Sequence, residues 1–332
     1  MTTLELPALR ANDSLGMLAA LGLLELCQSG LRVEAGLGWS GPDGAALLSG
    51  PFGDVAELAD AVAACAAEVH QSGRLTPAED PALITPPLGT KARKQLEDAG
   101  ALDPMKMPAD AAVRRFQRLQ ESELGASGRV DASWLAALVG QLCRLKRDVP
   151  ERRLTPLYSP SGQMTLHQLY RDALAEVVRR PGVLAEALAG WQRVSGAGAN
   201  LDSRALVDAA QAAGGKPANR HVPGATWLAL QSAPWFTQVG DEAGGEAVGW
   251  RYPRGGARLR YPVWTPVLSP AAVRVVLSHP AVRWQPAAPP TADRIAAGQR
   301  RVLGVCALYE AGRQALSKSA GPLLPPELLW QA

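Results

Sequence analysis

The sequence predicts an α+β fold in which an N-terminal β-α-β-β-α unit, half of a ferredoxin-like fold, packs with a helical lobe and a C-terminal β-hairpin plus helices. Three observations predict it. Strand-like alternation and capped helical spacing succeed each other between residues 3 and 70. Helical apolar spacing then recurs four times between residues 109 and 194. Near the C-terminus, two strand-like segments flank a Pro-Arg-Gly-Gly turn at residues 253–256.

The first strand and helix are predicted from local pattern. Residues 3–9 alternate apolar and polar side chains, which is typical of a strand. Residues 12–14 (Asn-Asp-Ser) supply N-cap candidates for a helix that runs to about Gln28 and ends at Gly30. Leucines cover most of the circumference of this helix, so we expect it to be buried on nearly all sides.

A hairpin and a second helix complete the N-terminal unit. Residues 31–40 and 45–50 read as strands joined at Pro-Asp-Gly (42–44), because Asp-Gly favours a tight turn. Residues 54–70 have apolar side chains at helical spacing. The order β-α-β-β-α is most of a split β-α-β unit.

The middle of the chain is predicted to consist of a proline-rich connector followed by a run of helices. Prolines interrupt residues 77–108 and permit only a short helix over residues 91–99. Helices are then predicted at residues 109–123, 131–146, 164–179 and 181–194. We therefore divide the chain into an N-terminal segment (1–76), a proline-rich connector (77–108), a helical lobe (109–199) and a C-terminal α+β region (200–332).

The C-terminal region is predicted to mix helices with one hairpin. Helices are expected at residues 202–213 and 225–235. Strands at 246–252 and 257–264 then form a hairpin that spans residues 246–264. Two more helices are predicted after it, at residues 269–278 and, as a long helix, at 291–318.

Charge and hydropathy restrict the classes of partner. The formal net charge of +3 over 332 residues means that any polyanion site must be a local patch. The longest apolar run, residues 15–26, is shorter than the ~20 residues that a membrane span needs. No basic segment of a signal peptide follows Met1. We therefore expect a cytoplasmic protein without a membrane partner.

The search for catalytic chemistry predicts no catalytic residue, no metal and no cofactor. Residues 36–41 match G-x-G-x-x-G, but a turn and a strand follow where a phosphate-binding helix is needed. The four histidines have no partners at metal-ligand spacing. An enzyme whose acidic residues meet only in the folded protein stays as an alternative.

The sequence carries one concentrated basic segment. Residues 251–261 (RYPRGGARLRY) contain Arg251, Arg254, Arg258 and Arg260, two tyrosines and no acidic residue. Guanidinium groups can bind phosphates and aromatic rings can stack on bases, so this hairpin is the main candidate for contact with nucleic acid. A solvated hairpin without a ligand is the alternative.

Five weaker basic clusters accompany the hairpin. One, in the connector, consists of Lys91, Arg93 and Lys94. The other four, in the helical lobe, are Arg114 and Arg115 with Arg118, Arg144 with Lys146 and Arg147, Arg152 and Arg153, and Arg179 and Arg180. Each cluster alone is typical of a solvated face, but together such clusters can line a channel for a polyanion.

Five segments in order resemble one family, the large subunits of type I CRISPR effector (Cascade) complexes, and within it the compact form of subtype I-G, formerly I-U. The segments are NDSLGMLAALGLLEL (12–26), LYSPSGQMTL (157–166), NLDSRALVDAA (200–210), VPGATWLAL (222–230) and RYPVWTPVLSP (260–270). The likeness spans most of the chain.

This resemblance implies a non-catalytic bacterial subunit of an RNA-guided surveillance complex. Its partners would be the CRISPR-RNA-containing complex with its backbone and RNA-end-binding subunits, double-stranded target DNA and a separate helicase-nuclease. The subunit would help to recognise the protospacer-adjacent motif and stabilise the opened duplex, or R-loop, since in such effectors base pairing reads the target and protein reads the adjacent motif.

Two polar residues are weaker candidates for contacts with bases. Asn12 and Gln163 are of the types that read adenine, as arginine reads guanine. Asn12 is equally a helix-cap candidate. The alternative function is a scaffold subunit that binds proteins through its C-terminal half, including residues 323–330, without contact to DNA.

Overall fold

A computed structural model describes most of the chain. The described residues are 1–77, 126–146, 149–159, 166–196, 198–211, 220–241, 244–253, 256–283, 290–315 and 320–332. The predicted helices at 91–99 and 109–123 lie outside them.

The N-terminal unit has the predicted order of elements. It consists of β1 (Thr2–Arg10), α1 (Ser14–Ser29), β2 (Gly36–Trp39), β3 (Ala45–Gly50) and α2 (Val55–Gln71). The strands are arranged β1-β3-β2, and β3 is antiparallel to both neighbours. Strands β1 and β2 are therefore parallel to each other and connected through α1. This is the split β-α-β arrangement, which confirms the predicted fold class.

Helix α1 is the buried helix that its leucines predict. Its N-cap is Asp13, whose carboxylate accepts hydrogen bonds from the backbone N–H groups of Leu15 (2.8 Å) and Gly16 (3.2 Å). Asn12 is exposed and does not cap the helix. Every residue of α1 except Gln28 is buried.

The middle region is less helical than the sequence predicts. It contains α3 (Ala126–Leu138), β4 (Val139–Lys146), β5 (Val149–Leu154), α4 (Leu166–Arg179) and α5 (Gly182–Ala189). The predicted helix at 164–179 is confirmed. The predicted helix at 131–146 is wrong in its second half, because that part pairs with β5 as a strand. The helix predicted to end at residue 194 already ends at Ala189.

The C-terminal region begins with short elements. These are β6 (Val194–Ser195), α6 (Ala205–Gln211), β7 (Arg220–His221), α7 (Pro223–Gln231), a 3-10 turn (Ala233–Trp235), β8 (Gln238–Asp241) and β9 (Gly244–Ala247). It continues with β10 (Trp250–Arg251), β11 (Arg258–Trp264), α8 (Pro270–Ser278), α9 (Pro280–Arg283), α10 (Pro290–Val302), β12 (Val305–Ala315), β13 (Ala320–Leu323) and β14 (Glu327–Gln331).

An antiparallel sheet organises this region. Its order is β10-β11-β12-β13, and β14 also pairs with β12. The predicted hairpin is confirmed, with β10 antiparallel to β11. The predicted long helix at 291–318 is wrong: α10 ends at Val302, and β12 becomes the central strand of the sheet.

One hydrophobic cluster joins the N-terminal unit to the later elements. Helix α1 packs along α7. The indole N–H of Trp264 donates to the Leu37 carbonyl at 2.7 Å, and the indole N–H of Trp235 donates to the Leu21 carbonyl at 2.9 Å. Over the described ranges, no helix has both the length and the hydropathy to cross a bilayer.

Candidate nucleic-acid interface

The register of the C-terminal sheet places the arginines of the hairpin on one face. Arg251 lies directly opposite Arg258 in the β10–β11 pair, and Arg260 lies opposite Glu310 in the β11–β12 pair. Arg258 and Arg260 are two residues apart on the same strand, so they share this face. We call these three arginines, together with Arg283 of α9, the arginine face.

Glu310 binds two of these arginines. Its Oε1 accepts from Arg258 Nη1 at 3.0 Å, and its Oε2 accepts from Arg260 Nε at 2.9 Å and Nη2 at 2.7 Å. Burial alone would raise the pKa of Glu310, but the hydrogen bonds from Arg258 and Arg260 lower it below the usual 4.5. The carboxylate is therefore charged at neutral pH.

This pairing corrects the prediction for Arg260. Its side chain is only 5% exposed and is held by Glu310 inside the sheet, so it does not present a guanidinium to an external phosphate. Arg258 differs, because 52% of its side chain is exposed although one nitrogen is bound to Glu310. Arg258 keeps donors that face solvent.

Arg251 lies in a small polar cavity between the hairpin and helices α8 and α9. The cavity has a volume of about 110 Å³, and the charged residues that line it in the described part of the chain are Arg251, Arg260, Arg283 and Glu246. One water needs only ~15 Å³, so a phosphate-sized group fits. Within the described part of the chain, the Arg251 guanidinium makes no hydrogen bond or ion pair.

Charges of both signs lie near Arg251. Burial and then the neighbouring Arg260 lower the pKa of Arg251, and the carboxylates of Glu310 and Glu246 oppose this shift only in part. Arg283 is bound to Glu246, and both side chains are about half exposed, so this pair contributes little stability and can be displaced by another anion. The cavity can therefore bind one anionic group, with Arg251 as its unpartnered cation.

The other predicted contact residues are not brought to this face by the described structure. Arg254, Gln163, Lys91, Arg93 and Lys94 lie outside the described residues. Arg152 and Arg153 lie on β5, where Arg152 pairs with Arg144 of β4. Asn12 lies at the start of α1.

Sequence reasoning missed Arg283, Glu246 and Glu310. Glu310 is separated from Arg260 by 50 residues and falls in a segment predicted as helix, so no local pattern signalled the pair. Arg283 is a single basic residue in a short helix and belongs to no charge cluster. The hairpin pattern predicted the location of the arginine face. The ion pairs of Arg258 and Arg260 depend on Glu310 of β12, which the sequence did not predict as a strand.

The structure brings together three acidic residues elsewhere, each bound to an arginine. Arg193 binds Asp202 at 3.1 Å and Asp208 at 2.5 Å, while Arg204 binds Asp202 at 2.7 Å and Asp13 at 3.3 Å. Arg204 also stacks over Trp191. This network joins the start of α1 to α6, and its carboxylates are neutralised by arginine, not arranged to bind a metal. Over the described residues, no group of three or more His, Cys, Asp and Glu is placed to bind a metal ion.

The chain matches no protein-family model, and a search of curated proteins finds no significant match.

Proposed function

We propose that this chain is a non-catalytic, cytoplasmic, nucleic-acid-binding subunit of a type I CRISPR surveillance complex. In this role it helps to recognise the protospacer-adjacent motif and stabilises opened target DNA for a separate helicase-nuclease. The order of the five family-like segments supports the assignment to such a complex. The geometry of the arginine face supports contact with a polyanion.

One observation carries the binding part of the proposal. Arg251 is half buried, has no partner in the described part of the chain and lines a phosphate-sized cavity with Arg283. A buried cation without a counter-ion is costly, and a phosphate group offers both charge and acceptor oxygens. Arg258 adds a solvent-facing guanidinium on the same sheet face. Arg260 and Glu310 orient Arg258 without contacting the ligand.

The test is the salt dependence of binding to duplex DNA and to short RNA. For duplex DNA the logarithm of the binding constant falls with the logarithm of salt concentration with a slope near 0.9 per phosphate neutralised. We expect Arg251→Ala with Arg283→Ala to weaken binding and to lower the slope by up to ~1.8. The assembled complex is the best material, because one subunit covers few phosphates.

Arg171→Ala is the matched control. Arg171 is an exposed arginine on α4 and does not belong to the described lining of the Arg251 cavity. Its replacement removes one positive charge and should leave the slope unchanged. Equal slopes for wild type and the double variant would show that the arginine face does not bind the phosphate backbone.

A scaffold subunit is the second candidate function, and β14 is the observation that favours it. This strand pairs with β12 on one side, and Leu328 and Leu329 are 49% and 36% exposed. Exposed leucines on an outer strand are typical of a protein contact. Loss of complex assembly in a Leu328→Ser, Leu329→Ser variant, with DNA binding of the free subunit intact, would favour this candidate.

A further inference from the structure

Glu246 of β9 shares the cavity of the arginine face with the two arginines that the proposed function assigns to phosphate. Its Oε2 accepts a hydrogen bond from Nη2 of Arg283. Its charge also acts on Arg251, because it opposes the lowering of the pKa of that guanidinium. A carboxylate of the chain itself therefore binds Arg283 at the point where a phosphate would bind.

Glu246 is held far less firmly than Glu310, the other carboxylate of this surface. Glu310 is 9% exposed and accepts three hydrogen bonds from two arginines. The side chain of Glu246 is 57% exposed, and within the described residues only its Oε2 accepts a hydrogen bond. An ion pair between exposed side chains contributes little free energy, so a phosphate oxygen can replace this carboxylate at small cost.

The backbone on both sides of the pair is fixed, so only side chains need to move. Ala247, the next residue of β9, is 1% exposed and lies opposite Gln238 of β8, whose Nε2 donates to the Ala137 carbonyl at 2.9 Å. Val282, which precedes Arg283, is also 1% exposed. Rotation of the exposed Glu246 side chain, a motion of picoseconds to nanoseconds, is sufficient to release Arg283.

A phosphate satisfies more donors in this cavity than Glu246 does. Arg283 has one hydrogen bond to the carboxylate, and Arg251 has none within the described part of the chain. A phosphate group has acceptor oxygens for both guanidinium groups, and arginine binds phosphate in a bidentate manner. The exchange therefore gains hydrogen bonds for Arg251 that Glu246 does not supply.

An isolated anion and a nucleic-acid strand differ in their ability to make this exchange. Glu246 is tethered beside Arg283, so its effective concentration there is on the order of millimolar or above. An isolated phosphate must compete with it unaided. A strand can place a second phosphate on Arg258, whose side chain is 52% exposed, and this added contact favours displacement of the carboxylate.

We propose that Glu246 is an autoinhibitory residue of the arginine face, which binds Arg283 in the free protein and is displaced when a strand places a phosphate in the cavity. This inference rests on the proposed function and adds the regulation of the same site. Glu246 lowers the affinity for every anion in the cavity, so only ligands with further contacts on the face remain bound.

The experiment measures fluorescence anisotropy of a labelled duplex DNA, titrated with the full chain at one low salt concentration. Glu246→Gln keeps the shape of the side chain and removes its charge, and it should strengthen binding roughly threefold to tenfold. Glu34→Gln removes the same charge at an exposed position outside the described cavity lining and should leave the affinity unchanged.

The same substitution in an Arg283→Ala background separates competition from a general charge effect. Without Arg283 the carboxylate has no arginine to release, so we expect the gain from Glu246→Gln to fall to less than half on a logarithmic scale. A change in net charge alone would give the same gain in both backgrounds. Thermal unfolding of Glu246→Gln should match wild type, because the pair is exposed.

Two results would overturn the proposal: unchanged or weaker DNA binding by Glu246→Gln, or an equal gain with and without Arg283. The proposed function is judged separately by the salt slope of Arg251→Ala with Arg283→Ala. A lower slope in that variant, together with no effect of Glu246→Gln, rejects autoinhibition and leaves the arginine face as the binding surface. An unchanged slope together with no effect of Glu246→Gln rejects both.

Discussion

The arginines of the C-terminal sheet have different roles because they have different acceptors. Arg313 is 5% exposed and donates to the backbone carbonyls of Asn200, Gly321, Pro156 and Leu157, and burial lowers its pKa to about 10. It joins separate loops, as a structural residue does. Arg251 instead lines a cavity, and among the described residues its guanidinium has no such acceptor.

Replacement of Glu310 by glutamine should destabilise the fold. The variant leaves the buried Arg260 without a counter-charge, which typically costs on the order of 3 kcal/mol in the free energy of unfolding. Because the hydrogen bonds from its arginines lower the pKa of Glu310 below 4.5, its contribution is present above pH 4.5 and is lost as pH falls through the lower folded value.

Urea unfolding at pH 7 checks this prediction, with Glu5→Gln at an exposed position of β1 as the control. Unchanged stability of Glu310→Gln at pH 7 would show that Arg260 does not depend on this carboxylate.

Glu25 of α1 should make stability depend on pH in the opposite direction. Burial raises its pKa from 4.5 to about 7, although Arg274 lies 3.3 Å away. Its contribution is full below pH 4.5 and is lost as pH rises through about 7, by at most ~3 kcal/mol. Glu25→Gln should therefore become more stable relative to wild type between pH 5 and 8.

Thermal unfolding at several pH values measures this difference, and Glu34→Gln, at an exposed position, should show none of it. A constant difference between Glu25→Gln and wild type from pH 5 to 8 would contradict the raised pKa.

At the scale of elements, Gly304 determines where α10 gives way to β12. Its φ of +74° is the left-handed conformation that commonly follows the end of a helix. Residues 305–315 read as helix in the sequence because alanine, leucine and glutamate are good helix formers. In the structure they pair with β11, β13 and β14, and these long-range partners override local propensity.

Gly304→Ala should destabilise the protein, whereas Gly298→Ala should not. A Cβ at residue 304 would lie 2.6 Å from Cγ of Pro266, and the positive φ adds about 1–2 kcal/mol of backbone strain. Gly298 lies inside α10 with open space around it, so alanine there should add about 0.5–1 kcal/mol through helix propensity.

Chemical denaturation of both variants gives the comparison. If Gly304→Ala proved as stable as Gly298→Ala, the turn between α10 and β12 would not require its left-handed residue.

The sequence predicts elements well where local signals determine them. Asp13, the leucines of α1 and the Asp-Gly turn at 43–44 carry their own capping, burial and turn signals, and the β-α-β-β-α unit is confirmed. The second half of the helix predicted at 131–146 fails for the same reason as residues 305–315, since β4 exists through its pairing with β5. For the candidate site, the hairpin was predictable, whereas Glu310 and Arg283 reach it only through tertiary structure.

At the scale of the whole molecule, the N-terminal unit and the C-terminal region share one core. Leu37 of β2 forms a β-bridge with Leu268, and the Tyr309 hydroxyl donates to Asp43 in the turn between β2 and β3. These contacts lie beside the sheet that carries the arginine face. The orientation of that face therefore depends on residues at both ends of the chain.

Gly22 is the position where this shared core is most sensitive. A Cβ there would lie 1.7 Å from the carbonyl oxygen of Leu228, so α1 and α7 approach each other too closely for any other residue. Gly22→Ala must push the helices apart, at a cost of about 1–3 kcal/mol or more. Gly182→Ala, at a helix start with open space around it, is the control.

Tryptophan fluorescence and far-UV circular dichroism should follow the unfolding of Gly22→Ala together. Because α1 belongs to the same core as α7 and the C-terminal sheet, we expect both probes to report one coincident transition at lower denaturant concentration than in wild type and Gly182→Ala. Separate transitions would mean that residues 1–76 form an independently stable unit. The arginine face would then not depend on α1 for its orientation.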